Sequence, residues 1–272
     1  MTPASHVLSI ETVCHPDMRY IRLLIEYDGS GYHGWQSQKS GGTIQDIISA
    51  GISVITSAPV KLTGASRTDA GVHALGQVAV FGTKSRLPAE IIKKALNAKL
   101  PRDIRVLASE ETDSRFHPRY DAIRKSYFYL IATSQEQSAF LYKNIWDVKT
   151  GLDIGAMQKA AGYILGEHDF SSFRGSGCGA RTTVRRIDSI DVSGLEEISF
   201  MTASMKGNFI KIQIEANAFL RHMVRNIAGT LVEVGKGKIS MKGFTEILES
   251  CDRTKAGPTA PGKGLFLEHI TY

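Results

Sequence analysis

The chain has 272 residues and a mass of 29.7 kDa, with 42% hydrophobic and 22% charged residues, a net charge of +6 and a pI of about 9.2. That is the length of one large or two smaller domains with ordinary globular composition. It contains no apolar run near the roughly 20 residues of a membrane helix, no secretory pattern at its start, and three scattered cysteines with no CxxC. A cytoplasmic protein is expected, and membrane, disulfide-rich and structural-zinc classes are set aside.

Residues 1–18 fit no repeating pattern and are expected to form a disordered leader. Tyr20–Tyr27, "YIRLLIEY", alternates apolar and polar positions and predicts a strand. After the glycine-rich "DGSGYHGWQSQKSGG", Thr43 opens a helix whose Ile44, Ile47, Ile48, Ile52 and Ile55 recur at helical spacing, with Thr43 and Asp46 as a capping pair. "VKLTG" and "LGQVAVFG" read as strands. Pro88 starts a second helix, and "DIRVLASE" is a closing strand. The order β-α-β-β-α-β is ferredoxin-like.

The theme then repeats. "KSYFYLIAT" is a strand and "DIGAMQKAAGYIL" a helix. "RTTVRRIDSIDVS" and "EISFMTASMKGNFIKIQIEA" supply strands, with a hairpin turn expected at Lys206–Gly207–Asn208. "AFLRHMVRNIAGTLVEVG" predicts a helix from about Phe219 to Gly235, followed by the helix "MKGFTEILES" and the strand "GLFLEHITY". The expected fold class is therefore α+β. Two halves, residues 19–113 and 114–272, each carry a largely antiparallel sheet, and a site is expected in the cleft between them.

Three features point to function. Basic residues gather at Arg115–Arg119–Arg124–Lys125, Arg174–Arg181–Arg185–Arg186, Arg221–Arg225 and Lys236–Lys238. Interleaved with Phe116, His117, Tyr120, Tyr127 and Phe173, they make a nucleic-acid footprint, although any one cluster alone reads equally well as solvated surface. In "GASRTDAGVHALGQVAVF", Arg67 and Asp69 stand together in a tight turn, with His73 and Gln77 behind them. An Asx-type turn is the plainer reading of such a carboxylate. Finally, Arg225 is embedded among Met223, Val224, Ile227 and Leu231, and a buried arginine requires a carboxylate. Asp69, Glu233 and Asp28 are the candidates.

Taken together, "GASRTDAGVHALGQVAVF", "FLRHMVRNIAGTLVEVGKG", "RTKAGPTAPGKGLFLEHITY", "FHPRYDAIRKSYFYLI" and "YDGSGYHGWQSQ" resemble, in order, blocks of the TruA family of tRNA pseudouridine synthases, from about Arg19 to Tyr272. The resemblance implies two RRM-like halves, a homodimer, and tRNA as partner. It implies isomerisation of uridine in the anticodon stem-loop, at positions 38, 39 and 40 in tRNA numbering. By position, Asp69 is the catalytic nucleophile or base, Arg225 its ion-pair partner, and Tyr127 the residue that stacks on uracil and is a candidate acceptor of the C5 proton. Arg67 is implied to fill the space left by the flipped nucleotide; contact with phosphate is an equal alternative. Leu265 or Leu267 is a candidate floor beneath the base. His73 is a candidate for tRNA contact or for satisfied packing, and Arg119, Arg181 and Lys238 are candidate phosphate contacts.

Breaking the N1–C1′ bond, turning the uracil and joining C5 to C1′ calls for no redox step, so neither cofactor nor metal is expected. Two rivals compete with this reading. One is a non-catalytic RNA-binding module, disfavoured because no RNP-type aromatic motif is evident. The other is a glycoside hydrolase, disfavoured because no second acid is marked. "GSGCGA" and "GKGK" lack the spacing of nucleotide-binding loops.

Overall fold

The computed structural model describes residues 18–134, 138–200 and 202–272; apart from Met18, the expected leader lies outside them. Its first half runs β1 (Arg19–Tyr27), α1 (Ile44–Thr56), β2 (Thr63–Gly64), β3 (His73–Thr83), α2 (Ala89–Lys99) and β4 (Ile104–Thr112). Its second half runs β5 (Arg124–Ala132), a short β6 (Trp146–Asp147), α3 (Ile154–Gly162), β7 (Gly166–Asp169), β8 (Val184–Phe200), β9 (Ala203–Ala216), α4 (Met223–Gly235), α5 (Met241–Ser250) and β10 (Leu265–Thr271).

The fold is α+β, and the β-α-β-β-α-β order recurs. In each half the sheet has the same neighbour relations: last strand, first, third. These are β4-β1-β3 in the first half and β10-β5-β9 in the second, with β8 next to β9. The two sheets are continuous. β10 lies between β5, to which it is antiparallel, and β3, to which it is parallel at Phe266↔His73 and Leu267↔Ala74. One sheet, β4-β1-β3-β10-β5-β9-β8-β7, therefore crosses the molecule.

Alternation sets the core. Ile21, Leu23 and Ile25 of β1 are sealed from solvent and meet Ile44, Ile48 and Ile52 of α1 and Ile92 and Leu96 of α2. Full burial of such a side chain contributes roughly 1.5–3 kcal/mol. Thr43 begins α1 as a cap: its hydroxyl accepts from Asp46 N at 3.3 Å and donates to the Asp46 carboxylate at 2.6 Å. In the second half Met157, Ala160, Val232 and Phe244 carry the same core across α3, α4 and α5.

Two elements differ from expectation. Lys206–Gly207–Asn208 is not a hairpin turn; it lies inside β9, where the pairing slips between Leu195↔Phe209 and Glu197↔Lys206. The β8–β9 pairing continues to Phe200↔Ala203, so the glycine sits at a register shift rather than at the chain reversal. The helix expected from Phe219 begins at Met223, because His222 takes a left-handed conformation, φ 61°. Arg221 and Arg225 are consequently not one turn apart on a common helix.

Candidate active site

The loop between β2 and β3 is held from both halves. Its own half fixes the backbone. Gln77 accepts from Ser66 N at 3.1 Å and donates to Ser66 O at 2.7 Å, and Tyr27 bonds the Thr68 hydroxyl at 2.7 Å. Trp35 N donates to Thr68 O at 3.0 Å. That approach needs Gly34, whose φ is 91° and where a Cβ would stand 2.7 Å from the same carbonyl. From the second half, Tyr127 of β5 bonds the Ser66 hydroxyl at 2.6 Å.

Asp69 then projects toward the start of α4. Arg225 Nη1 donates to Asp69 Oδ2 at 3.2 Å, and His222 Nε2 lies 3.5 Å from Asp69 Oδ1. The Asp69 and Arg225 side chains are 23% and 16% exposed, so the pair is partly shielded yet reachable. No described backbone group takes the Asp69 carboxylate as an Asx turn would; its backbone carbonyl instead accepts from Val72 N at 3.1 Å. Of the other two carboxylates considered for Arg225, Glu233 pairs with Lys236 and Lys238, and Asp28 lies 3.1 Å from His73.

Arg225 is oriented by a close-packed strap. Its Nε donates to Ala260 O at 2.7 Å, while Ala260 N donates to Arg225 O at 3.1 Å. Gly229 permits this, since a Cβ there would lie 1.7 Å from Pro258 O. Arg221, the residue before His222, is gripped similarly: Gly175 N donates to Arg221 O at 2.8 Å, and Arg221 Nη1 donates to Ser176 O at 3.1 Å. Burial holds the His222 imidazole below its usual pKa; Asp69 pulls upward, and Arg225, Arg221 and Arg253 push down. Burial also pushes the Tyr127 phenol up to about 12, with the Ser66 bond opposing and Asp69 reinforcing. It is a neutral hydroxyl at neutral pH, its ring edge-on to Phe219 at 5.1 Å.

The structure thus brings Asp69, Arg225 and Tyr127 to one junction and leaves other candidates apart. Arg67 is exposed and forms no hydrogen bond or ion pair with any described residue. Leu265 and Leu267 are buried on β10, opposite Tyr129 and Tyr127 respectively. His73, a candidate for tRNA contact or for satisfied packing, lies packed in the core. It is 1% exposed, accepts from Gly29 N at 3.2 Å, faces the carbonyls of Lys143 and Lys263 at 3.2 and 3.1 Å, and stacks on Phe266. Arg119 and Arg181 are exposed on surface segments. Lys238, just past the end of α4, pairs with Glu233, which stands about 12 Å along the helix axis from Arg225.

Two participants carry no signal in the sequence: His222, whose left-handed turn has no residue signature, and Ser66, whose bond to Tyr127 depends on the second half. Gln77, visible behind the turn, acts as a loop clamp only because β3 places it against Ser66.

A carboxylate bonded by a guanidinium, near a buried phenol where the two halves meet, fits an enzyme that works by nucleophilic attack or general-base proton abstraction. The comparisons agree with that class. A family model described as tRNA pseudouridine synthase matches residues 23–121 and 160–272, segments that include Asp69 and Arg225 but not Tyr127. The chain is 48% identical over 255 residues to a tRNA pseudouridine synthase A of Acetivibrio thermocellus, covering 94% of this chain and all of that one. It is 41% identical over 252 residues to the protein of the same description from Thermodesulfovibrio yellowstonii, covering 93% and 99%. Among solved structures, a Cbf5–Nop10–Gar1 complex aligns with 78% of this chain and 45% of the other at 14% identity, with a TM-score of only 0.31. This chain belongs to the tRNA pseudouridine synthase family.

Proposed function

We propose that this protein converts uridine to pseudouridine in the anticodon stem-loop of tRNA, at positions 38, 39 and 40, acting as a cytoplasmic homodimer without cofactor. The halves, residues 19–113 and 114–272, form the two walls of the cleft. The observation that carries the reading is the Asp69–Arg225 pair at 3.2 Å, set where the two halves meet in a chain of this family.

The chemistry is an isomerisation. The N1–C1′ bond breaks, the uracil turns while held in the cleft, C5 bonds to C1′, the C5 proton leaves and the freed N1 takes one up. Asp69 serves at the ribose, either by adding to C1′ or by removing a neighbouring proton. Arg225 aligns its carboxylate through a charge-assisted hydrogen bond. The Tyr127 ring packs against the flipped uracil, a contact worth roughly 1–3 kcal/mol per base. As a neutral phenol tied to Ser66, it takes the C5 proton only by passing its own onward along that bond. Arg67, exposed two residues before Asp69, enters the stack that the uridine vacates or meets its phosphate. Arg119, Arg181 and Lys238 contact phosphates farther out, and Leu265 lies beneath the base.

The test uses tRNA transcripts carrying 5-tritiated uridine, incubated with the wild type and with Asp69→Ala. Release of tritium by the wild type alone is expected, with the label mapped to positions 38–40. Binding by both proteins with release by neither would instead indicate an RNA-binding module. Free uracil would indicate a hydrolase.

A further inference from the structure

Lys125 is a cation in an unusual place. It is 6% exposed, and among the described residues it has no carboxylate partner. A buried ammonium without a counter-ion is costly, so its position requires a reason. Its Nζ donates to Ala65 O at 2.6 Å, in the loop that carries Arg67 and Asp69. Lys125 and Tyr127 are two apart on β5 and face the same side; Tyr127 grips Ser66 at 2.6 Å. Consecutive loop residues from the first half are therefore fastened by alternate residues of one strand from the second.

We propose that Lys125 is a positioning residue: in its charged form it clamps the Ala65 carbonyl and so sets the loop that presents Asp69 to the substrate. This rests on the function proposed above. The bond to Ala65 is charge-assisted, roughly twice the strength of a neutral one, and a neutral amine would hold the same carbonyl more weakly. Burial, and then the Arg119 guanidinium, lower the Lys125 pKa to about 8, so the clamp weakens just above neutral pH.

Few other groups bear on this titration. The strands flanking Lys125 place Ala216 of β9 and Ile270 of β10 opposite it. Tyr127 is a neutral phenol on the same strand. Asp69 acts on Tyr127, and Arg119 on Arg185, but among charged groups it is Arg119 that shifts Lys125.

The experiment measures tritium release by wild type, Lys125→Met and Lys125→Arg from pH 6.5 to 9, together with hydrogen exchange of the 65–69 segment at one fixed pH. For the wild type, kcat/KM is expected to fall with a single ionisation near 8; this parameter reports the free enzyme. Lys125→Arg should keep its rate to higher pH. Lys125→Met should lose kcat by roughly ten- to hundredfold, since small misplacement of a reacting group has effects of that order. It should do so with KM little changed, with the alkaline limb absent, and with faster exchange in the 65–69 segment.

Three results would overturn the proposal: an alkaline limb retained in Lys125→Met, weaker tRNA binding with unchanged kcat (a phosphate contact instead), or unchanged exchange in the 65–69 segment. If the wild type releases no tritium, exchange alone decides the clamp, and the loss falls on the functional reading. Thermal melting of both variants shows whether they fold.

Discussion

The two halves share an order of elements but use their second strands differently. In the second half that strand, β8, is 17 residues long and pairs with β9 from Ile187↔Ala216 to Phe200↔Ala203. In the first half it is β2, two residues long, paired with β3 only at Thr63↔Val80 and Gly64↔Ala79. The shortening has two consequences. It releases residues 65–72 as the loop that holds Arg67 and Asp69, and it leaves one edge of the start of β3, whose other edge pairs with β1, open for β10 to enter and join the halves. The candidate site exists where one copy of the motif gave up a strand. The other copy adds a second grip on that loop, through Tyr127, Arg225 and Lys125.

The sharpest way to break this comparison is to remove chemistry from the loop without disturbing either sheet. Asp69→Asn keeps the shape of the side chain. Loss of at least about 10³-fold in kcat is expected, on the scale seen when an attacking group is removed, with a melting temperature near that of the wild type. Tritium release and a thermal melt on one preparation check both parts. Activity within tenfold of wild type would remove Asp69 from the proposed role.

A matched pair of glycine substitutions sharpens the same contrast. In the first half, Gly51→Ala on α1 meets only side-chain ends, Leu96 Cδ2 at 3.2 Å and Leu100 Cδ2 at 3.7 Å. The gain in helix propensity, about 1 kcal/mol, should leave stability unchanged or improved. In the second half, Gly229→Ala drives a Cβ to 1.7 Å from Pro258 O. Overpacking costs about 1–3 kcal/mol, and the displaced strap carries the Ala260 carbonyl that orients Arg225. Gly229→Ala should therefore lower both stability and kcat. Equal melting temperatures for the two variants would show that the strap is not rigid.

Much of this architecture was legible from residues. Alternation in "YIRLLIEY" and the threonine cap before Ile44 describe local physics that the tertiary structure leaves intact. The Lys206–Gly207–Asn208 turn was misplaced because glycine serves a register shift as readily as a reversal, and only the partner strand decides between them. The start of α4 was misplaced because Phe219 and Leu220 continue the apolar pattern while His222 breaks the backbone. In the site, the tight turn around Asp69 was visible, whereas its partners come from residues more than 50 positions away and depend on β5 and α4 arriving together. Lys125 is the clearest case: in the sequence it belongs to a basic cluster, and in the structure it is buried beneath a carbonyl.

A smaller effect is expected from Tyr127→Phe, which keeps the ring and deletes the bond to Ser66. One hydrogen bond contributes about 1 kcal/mol net, so a modest fall in stability and less than about tenfold in kcat should follow, while Tyr127→Ala loses more of both. If Phe and Ala are equally inactive, the hydroxyl rather than the ring carries the function, and proton transfer through Ser66 gains weight over stacking.

The smallest expected effect lies at the seam itself. His73 begins β3 and sits opposite Phe266 of β10, with its ring facing two carbonyls of the second half. Burial is the largest influence and lowers its pKa below 6.5; Asp28 and the two carbonyls oppose it. A histidine with a depressed folded-state pKa favours the neutral form, so the unfolded chain takes up a proton first as pH falls. Its contribution to stability is complete above about 6.5 and is lost as pH drops from there toward the folded-state pKa. Asp28, also depressed, adds a loss of the same sign, beginning at more acidic pH as its carboxylate protonates. The melting temperature should therefore decline gently from pH 7.5 to 5.5, and the His73 ring should titrate below 6.5 by NMR. Titration above 6.5 would mean that Asp28 outweighs burial, that the seam is held by an ion pair rather than by a neutral ring, and that mild acid would tighten the junction between the halves instead of loosening it.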